Sequence, residues 1–268
     1  MAGMTTTVAV INQKGGVGKT TVALGLASAA QVAGVPTLVV DLDPQGSSSW
    51  ALGLDVDSQT LTVSDAIAAN RDGAAADIIV ESGWGDPIDV LPAGRELIDR
   101  DGDVRATDPQ RRLRRALRGV TDPYELVLID CAPSLGLTTR NGLVAADLAL
   151  LVVEPSALSL RGVVAVTDAI DEVWGELNPS LDIAGVVVNR VPPASSEAEL
   201  QLDQLRSIVG KRAVWTPFIP QRVAVNEALG ARESIHAHGW RGADVAGAFE
   251  ALLAKLRRAA RRHAQQQP

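Results

Sequence analysis

Val8-Ala9-Val10-Ile11-Asn12-Gln13-Lys14-Gly15-Gly16-Val17-Gly18-Lys19-Thr20-Thr21 joins an apolar run to a glycine-rich loop, and a helix-like stretch from Val22 to Ala33 follows. Strand, loop and helix in that order make a phosphate-binding loop. Glycines let backbone N–H groups close around an anion, and the positive end of the next helix points at it. Lys19 is placed to reach the β- and γ-phosphates of a nucleotide, and the Thr20 hydroxyl to ligand Mg²⁺. A dinucleotide-binding turn would need Gly-x-Gly-x-x-Gly. Counted from Gly16 and Gly18, its third glycine falls on Thr21, so that pattern fails. The ordinary phosphate loop also has glycine where this chain has Gln13, and this loop carries a second lysine, Lys14. One lysine suffices to neutralise the γ-phosphate from within the chain. Lys14, at the loop's start, is placed to serve another phosphate, most simply one held by a second copy of the protein.

Outward from the loop, apolar runs at 7–12, 36–41, 87–91, 125–130, 148–153 and 183–190 alternate with helical patterns. That alternation predicts an α/β fold, a mostly parallel twisted sheet with helices on both faces. One domain is expected over 1–262, with 263–268 a disordered tail. Residues 68–86 are rich in Ala, Gly and Asp and read as a surface excursion. The run 125–130 ends in Asp130, as a Walker B strand requires of the acid that holds Mg²⁺. The run 36–41 ends in Asp41, followed by Leu42-Asp43-Pro44-Gln45-Gly46. Ligands of open α/β sheets bind beyond the carboxyl ends of the strands, so both strand-end acids should lie beside the loop. Asp41 and Asp43 alternate past the strand end and can face one side, with Pro44 and Gly46 forming the turn. One carboxylate can hold a metal-bound water and the other can orient the water that attacks the γ-phosphate. An Asp-rich turn with capping duties is the simpler alternative for both.

Composition narrows the function classes. At 268 residues the chain can bury a full core, and with 3% aromatic content that core is built from Val, Leu, Ile and Ala. A single cysteine, Cys131, excludes an intrachain disulfide framework and fits a reducing cytosol. Met1 to Val10 lacks the basic start and long apolar run of a signal peptide. No stretch approaches the ~18–20 apolar residues of a membrane span. The net charge of −7 repels nucleic acid overall, so DNA binding requires a local patch or a dimer that concentrates basic residues.

The segments Asn12–Thr21, Asp41-Leu42-Asp43-Pro44-Gln45-Gly46 and Leu128-Ile129-Asp130-Cys131-Ala132-Pro133-Ser134-Leu135-Gly136 strongly resemble the ParA/Soj family of partition ATPases. That family belongs to the deviant Walker A class of P-loop NTPases that includes MinD. A weaker likeness extends through Asn141–Asp147, Thr216–Pro220 and Asn226–Ala228. The resemblance implies an ATP- and Mg²⁺-dependent ATPase that closes as a homodimer. Lys14, Gly15, Gly16, Val17, Gly18, Lys19, Thr20 and Thr21 would bind ATP, with Asn189 and Pro220 on the adenine side. Lys14 would cross to the partner's phosphates, and Asp43 would be the hydrolytic aspartate. Thr20, Asp41 and Asp130 would serve the metal. The family's ATP-bound dimer binds DNA without sequence preference, and a ParB-like partner stimulates hydrolysis. A cytoplasmic, nucleoid-associated protein is implied. Two departures stand out. Ala132 occupies a position where the family usually has proline, and the arginine of an Ile-Pro-Arg stretch is displaced to Arg222 by Gln221.

Lys211, Arg212, Arg222, Arg257 and Arg258 are the DNA-contact candidates. Arg111 to Arg118 forms a second basic cluster, read equally as a solvated face or a phosphate contact. A MinD-like membrane-surface switch is the alternative, since Phe249, Leu252, Leu253 and Leu256 form one apolar helical face near basic residues. Against it, 259–268 is rich in Ala and Gln without aromatics. A nucleotide-gated scaffold with little turnover is the third reading. One cysteine is too few for a thiolate-held cluster, and the histidines lack metal spacing.

Overall fold

The computed structural model describes residues 5–57, 60–105 and 107–267. The strands are β1 (Thr6–Ile11), β2 (Thr37–Leu42), β3 (Val80–Glu81), β4 (Ile88–Leu91), β5 (Leu126–Cys131), β6 (Leu148–Val153) and β7 (Asp182–Val188). They form one sheet in the order β3-β4-β2-β5-β1-β6-β7, parallel except where β3 pairs antiparallel with β4. The helices are α1 (Lys19–Val32), α2 (Ser47–Ala51), α3 (Val63–Ala69), α4 (Leu97–Arg100) and α5 (Arg112–Leu117), then α6 (Leu137–Ala145), α7 (Ala157–Glu176), α8 (Ser196–Val209), α9 (Val223–Gly230) and α10 (Ala243–Gln266). A right-handed crossover helix between parallel strands covers one sheet face or the other, which produces the alternation legible in the sequence.

Strand parity divides the core. Ala9, Ile11, Val40, Leu42, Val127, Ile129, Ala149 and Leu151 share one buried cluster with residues of α3, α5 and α6. Their neighbours Val8, Val10, Val39, Leu126, Leu128, Leu148 and Leu150 share the other with α1 and α10. Counting on by two from Val39 and from Leu128 puts Asp41 and Asp130 on the α1 face, the face that carries Lys19 and Thr20. The register then makes the two acids direct neighbours across β2 and β5.

Two expectations are corrected. Residues 68–86 are more than a surface excursion: Ala74, Ala75 and Ile78 are buried in the core, and Val80–Glu81 supplies the antiparallel edge strand. The tail expected to be disordered from 263 continues α10 to Gln266. His263 and Ala259 are buried there, so packing extends the helix past its apolar midsection.

The apolar face of α10 is buried against α1. A Cβ added at Gly25 would lie 2.2–2.3 Å from the Phe249 ring, so glycine makes room for the aromatic. Among the described residues no helix is long and apolar enough to cross a membrane.

Candidate functional site

The phosphate loop spans from β1 to α1. Gly18 sits at φ +90°, and a Cβ there would lie 2.1 Å from Asn189 Nδ2, so both its backbone and its surroundings demand glycine. Asn189 is buried and its amide donates to Val17 O at 2.9 Å, fastening the loop to the end of β7. Arg190 adds a second tie, with Nη1 donating to Gly16 O at 2.5 Å, and it adopts φ +55°. On the other side Asn12 donates to Val152 O at 2.5 Å and accepts from Lys14 N at 2.8 Å. The loop is therefore clamped between β6 and β7 before any ligand arrives, as a preorganised anion site requires.

The two lysines diverge. Lys19 is buried, and its ammonium approaches Lys14 O at 3.4 Å, across the loop. Burial lowers its pKa, with the Asp130 carboxylate acting in the opposite sense. The Lys14 ammonium instead turns to the Glu154 carboxylate beyond β6 and to Ser156 Oγ at 3.2 Å.

Behind the loop, Thr20 Oγ1 and Ser48 Oγ each donate to Asp130 Oδ2 at 2.7 Å. Asp130 Oδ1 is buried and meets no hydrogen-bond partner among the described residues. An orphaned buried carboxylate oxygen beside a threonine hydroxyl is a donor set that fits Mg²⁺ with its water ligands. When bound, the metal would neutralise charge on the phosphates, and Thr20 and Asp130 would hold it. Asp41 is fully buried, with Oδ2 accepting from both Ser49 N and Ser49 Oγ at 2.7 Å and Oδ1 from Asp43 N at 3.2 Å. Its oxygens thus hold the 43–49 turn. Asp43 stands half-buried on that turn, its Oδ1 accepting from Gln45 N at 2.9 Å. Ser48, Ser49, Glu154 and Arg190 were not singled out from sequence, although the Ser47-Ser48-Ser49 run directly after Asp41–Gly46 was a usable signal.

Burial, and then the Asp130 charge, push the Asp41 carboxyl up to about 7. Burial pushes Asp130 up to about 6, against the Ser48 and Thr20 hydrogen bonds and Lys19 that favour its charged form. Both acids therefore bind protons more readily folded than unfolded. Their stabilisation is complete below the unfolded value of 3.8 and is lost as pH rises through about 6 to 7. Nucleotide- and metal-free protein should lose stability on the order of 1 kcal/mol per pH unit between pH 5 and 7. Mg²⁺ binding needs the charged form, so its affinity should rise across the same window. Thermal melts of wild type and Asp41→Asn at several pH values check this. Equal slopes in the two proteins would exclude Asp41 from the effect.

A cleft lined by Thr21, Asn189, Arg190, Pro220, Gln221 and Arg222 opens beside the loop. It brings Asn189 and Pro220 together with Thr21 of the loop's helix. Arg222 thus edges this cleft, and it pairs with Asp244 at 2.8 Å. The other basic candidates lie elsewhere. Lys211 and Arg212 precede Val214, which bridges to Val186 within β7, whereas Pro220 bridges to Val191 beyond that strand's end. Arg257 pairs at 3.2 Å with Glu125, the residue before β5, so it lies at the amino end of the strands, opposite the phosphate loop. The five candidates do not form one patch. In the 111–118 cluster, Arg115 and Arg118 pair with Asp72, Arg111 with Asp108 and Arg112 with Asp103, which partly neutralises that face. Cys131 is free and fully buried, as a small apolar residue would be.

Residues 5–183, which contain the loop, Asp41, Asp43, Asp130 and Glu154, match the AAA domain family AAA_31. An uncharacterized protein of Mycobacterium tuberculosis (strain ATCC 25618 / H37Rv) is 38% identical over 187 residues, a match spanning 69% of this chain but 58% of that protein's length. The chromosome partitioning protein ParA of Caulobacter vibrioides (strain NA1000 / CB15N) is 35% identical over 223 residues, 82% of each chain. Among solved structures, cobyrinic acid a,c-diamide synthase from Mycobacterium smegmatis, with bound ATP analog and magnesium, is similar at a TM-score of 0.80. The two are 28% identical, and the superposition covers 96% of each chain. With the clamped loop, the divergent lysines and the paired strand-end acids all inside the matched region, the chain belongs to the ParA/Soj family of P-loop partitioning ATPases.

Proposed function

We propose that this protein is a slow ATP hydrolase working as a positional switch. ATP and Mg²⁺ close two protomers face to face, and the closed dimer holds bulk DNA electrostatically. A ParB-like or cargo-adaptor partner triggers hydrolysis and release. The cargo is a plasmid, a chromosome region or another large assembly, and the protein acts in the cytoplasm on the nucleoid. The observation that carries this reading is the divergence of the two loop lysines. Lys19 serves its own loop, while Lys14 rests on Glu154, where a second protomer's phosphates can compete for it. In this reading Thr20 and Asp130 hold the metal, Asp41 holds the turn and Asp43 orients the attacking water.

The membrane alternative loses its main support, because the apolar face of α10 is occupied by α1. A scaffold with little turnover is separated by measuring phosphate release with and without DNA.

DNA binding is tested by titrating duplexes of unrelated sequence with ATP, ADP or no nucleotide across a salt series. For a dimer neutralising several phosphates, log affinity should fall linearly with log salt, at about −0.9 per phosphate contacted. Binding should require ATP. Arg257→Glu with Arg258→Glu probes the amino-end surface, and Arg222→Glu probes the cleft edge. The first pair should lower the salt slope without changing ATP binding. No binding in any nucleotide state would overturn the DNA arm of the proposal.

A further inference from the structure

Helix α2 is five residues long and begins after Gly46 without a side-chain cap. So short a helix is not self-supporting, and tertiary contacts must hold it. Its buried side is unusual, because Ser48 and Ser49 are at 0% and 1% exposure where apolar residues would ordinarily sit. Buried hydroxyls are costly unless hydrogen-bonded. Both are bonded, and to the two strand-end acids: Ser48 to Asp130, and Ser49 to Asp41 through hydroxyl and backbone. Ser49 Oγ also accepts from Ala93 N at 2.9 Å. Thr20 and Ser48 converge on one oxygen of Asp130 and leave the other without a partner among the described residues. Two donors on one oxygen, arriving from α1 and from α2, fix the plane of the carboxylate. The remaining oxygen is left buried with no protein donor among the described residues, so it has capacity to accept from a metal-bound water.

We infer that Ser48 is a positioning residue for the Mg²⁺ site: it orients Asp130 and couples that site to the turn carrying Asp43. The inference rests on the reading of Asp130 as a metal-site acid. Any shift of Asp130 on metal binding pulls on α2, and α2 begins two residues beyond Gln45, whose N–H is held by Asp43. Partners of this kind, one shell out from the metal, typically contribute about 10- to 100-fold to metal affinity or activity.

The test is a Mg²⁺ titration of N-methylanthraniloyl-ATP fluorescence on the full chain, with affinity in EDTA as the reference. Ser48→Ala should raise the Mg²⁺ midpoint about 10-fold or more and leave affinity in EDTA unchanged. Ser48→Cys keeps the side-chain shape with a larger sulfur and only a weak donor, and its midpoint should fall between those of wild type and Ser48→Ala. It also decides the matter if the alanine variant does not fold. Asp130→Asn is run in parallel and should raise the midpoint further. If Asp130→Asn raises it while both Ser48 variants keep the wild-type midpoint, Ser48 has only a packing role and the inference is overturned. An unchanged midpoint in Asp130→Asn itself would overturn the metal-site reading instead, and the Ser48 inference with it.

Discussion

Asp43→Ala is expected to lower ATP turnover by about 10²–10³-fold, the loss typical when one preorganised group acting on the transition state is removed. ATP binding should survive, because the cradle of Gly15 to Thr21 is fastened by Asn12, Asn189 and Arg190 without help from Asp43. The variant should therefore accumulate as an ATP-bound dimer, visible by size-exclusion chromatography with light scattering. Phosphoryl transfer leaves a protein little covalent work, so a carboxylate that orients water acts through position and charge. Asp43 also has a structural duty, since its Oδ1 holds Gln45 N. Asp43→Asn keeps an oxygen for that bond while removing the charge, and it should lose turnover nearly as fully as alanine. Normal turnover in the asparagine variant would remove Asp43 from the mechanism and leave it a turn residue.

Much of this site is legible in the sequence, because ligands of open α/β sheets bind beyond the carboxyl ends of the strands. Two apolar runs end in acids, and a period of two gives the face each acid takes once the structure assigns Val39 and Leu128 to the cluster on the α1 side. Asp130 meets the loop's Thr20, while Asp41 lies next to Asp130 one strand further out. The resemblance gives Asp43 the attacking water and Asp41 a share in the metal, and what local sequence could not foresee is that Asp41's oxygens are taken up by the 43–49 turn. Both alternate past one strand end, but Asp41 is fully buried with its oxygens committed to Ser49 and Asp43 N, while Asp43 stands on the turn. Strand register and long-range pairing decide such matters, and neither is written locally. The same holds for Glu154, 140 residues from Lys14. It holds too for the basic candidates, since the topology sets Arg222 and Arg257 at opposite ends of the strands. The helical end of the tail was legible too, since Ala264, Gln265 and Gln266 are good helix formers, whereas the packing that buries His263 is tertiary.

Lys14→Ala is expected to abolish ATP-dependent dimerisation and partner-stimulated hydrolysis, a fall of at least about 10³-fold if the lysine supplies transition-state charge in trans as an arginine finger does. ATP binding should weaken far less, because Lys19 and the loop amides remain. In the isolated chain Lys14 is held by Glu154, and the side chains are 28% and 24% exposed, so the pair is partly screened and a competing phosphate can displace it. Loss of activity alone would not separate a role within the chain from a role across two chains. Mixing Lys14→Ala with Asp43→Ala does. In a mixed dimer, the nucleotide bound by the Lys14→Ala protomer has that protomer's own Asp43 and receives Lys14 from the other, so one site is complete. Two inactive proteins should then regain activity on mixing, up to about a quarter of wild type if protomers pair at random across a two-fold interface. If Lys14 acts within its own chain, neither site in the mixed dimer has both groups and mixing restores nothing. That result would leave Lys14 as a loop residue paired with Glu154 and would end the trans-lysine reading, with nucleotide binding by Lys19 and Thr20 untouched.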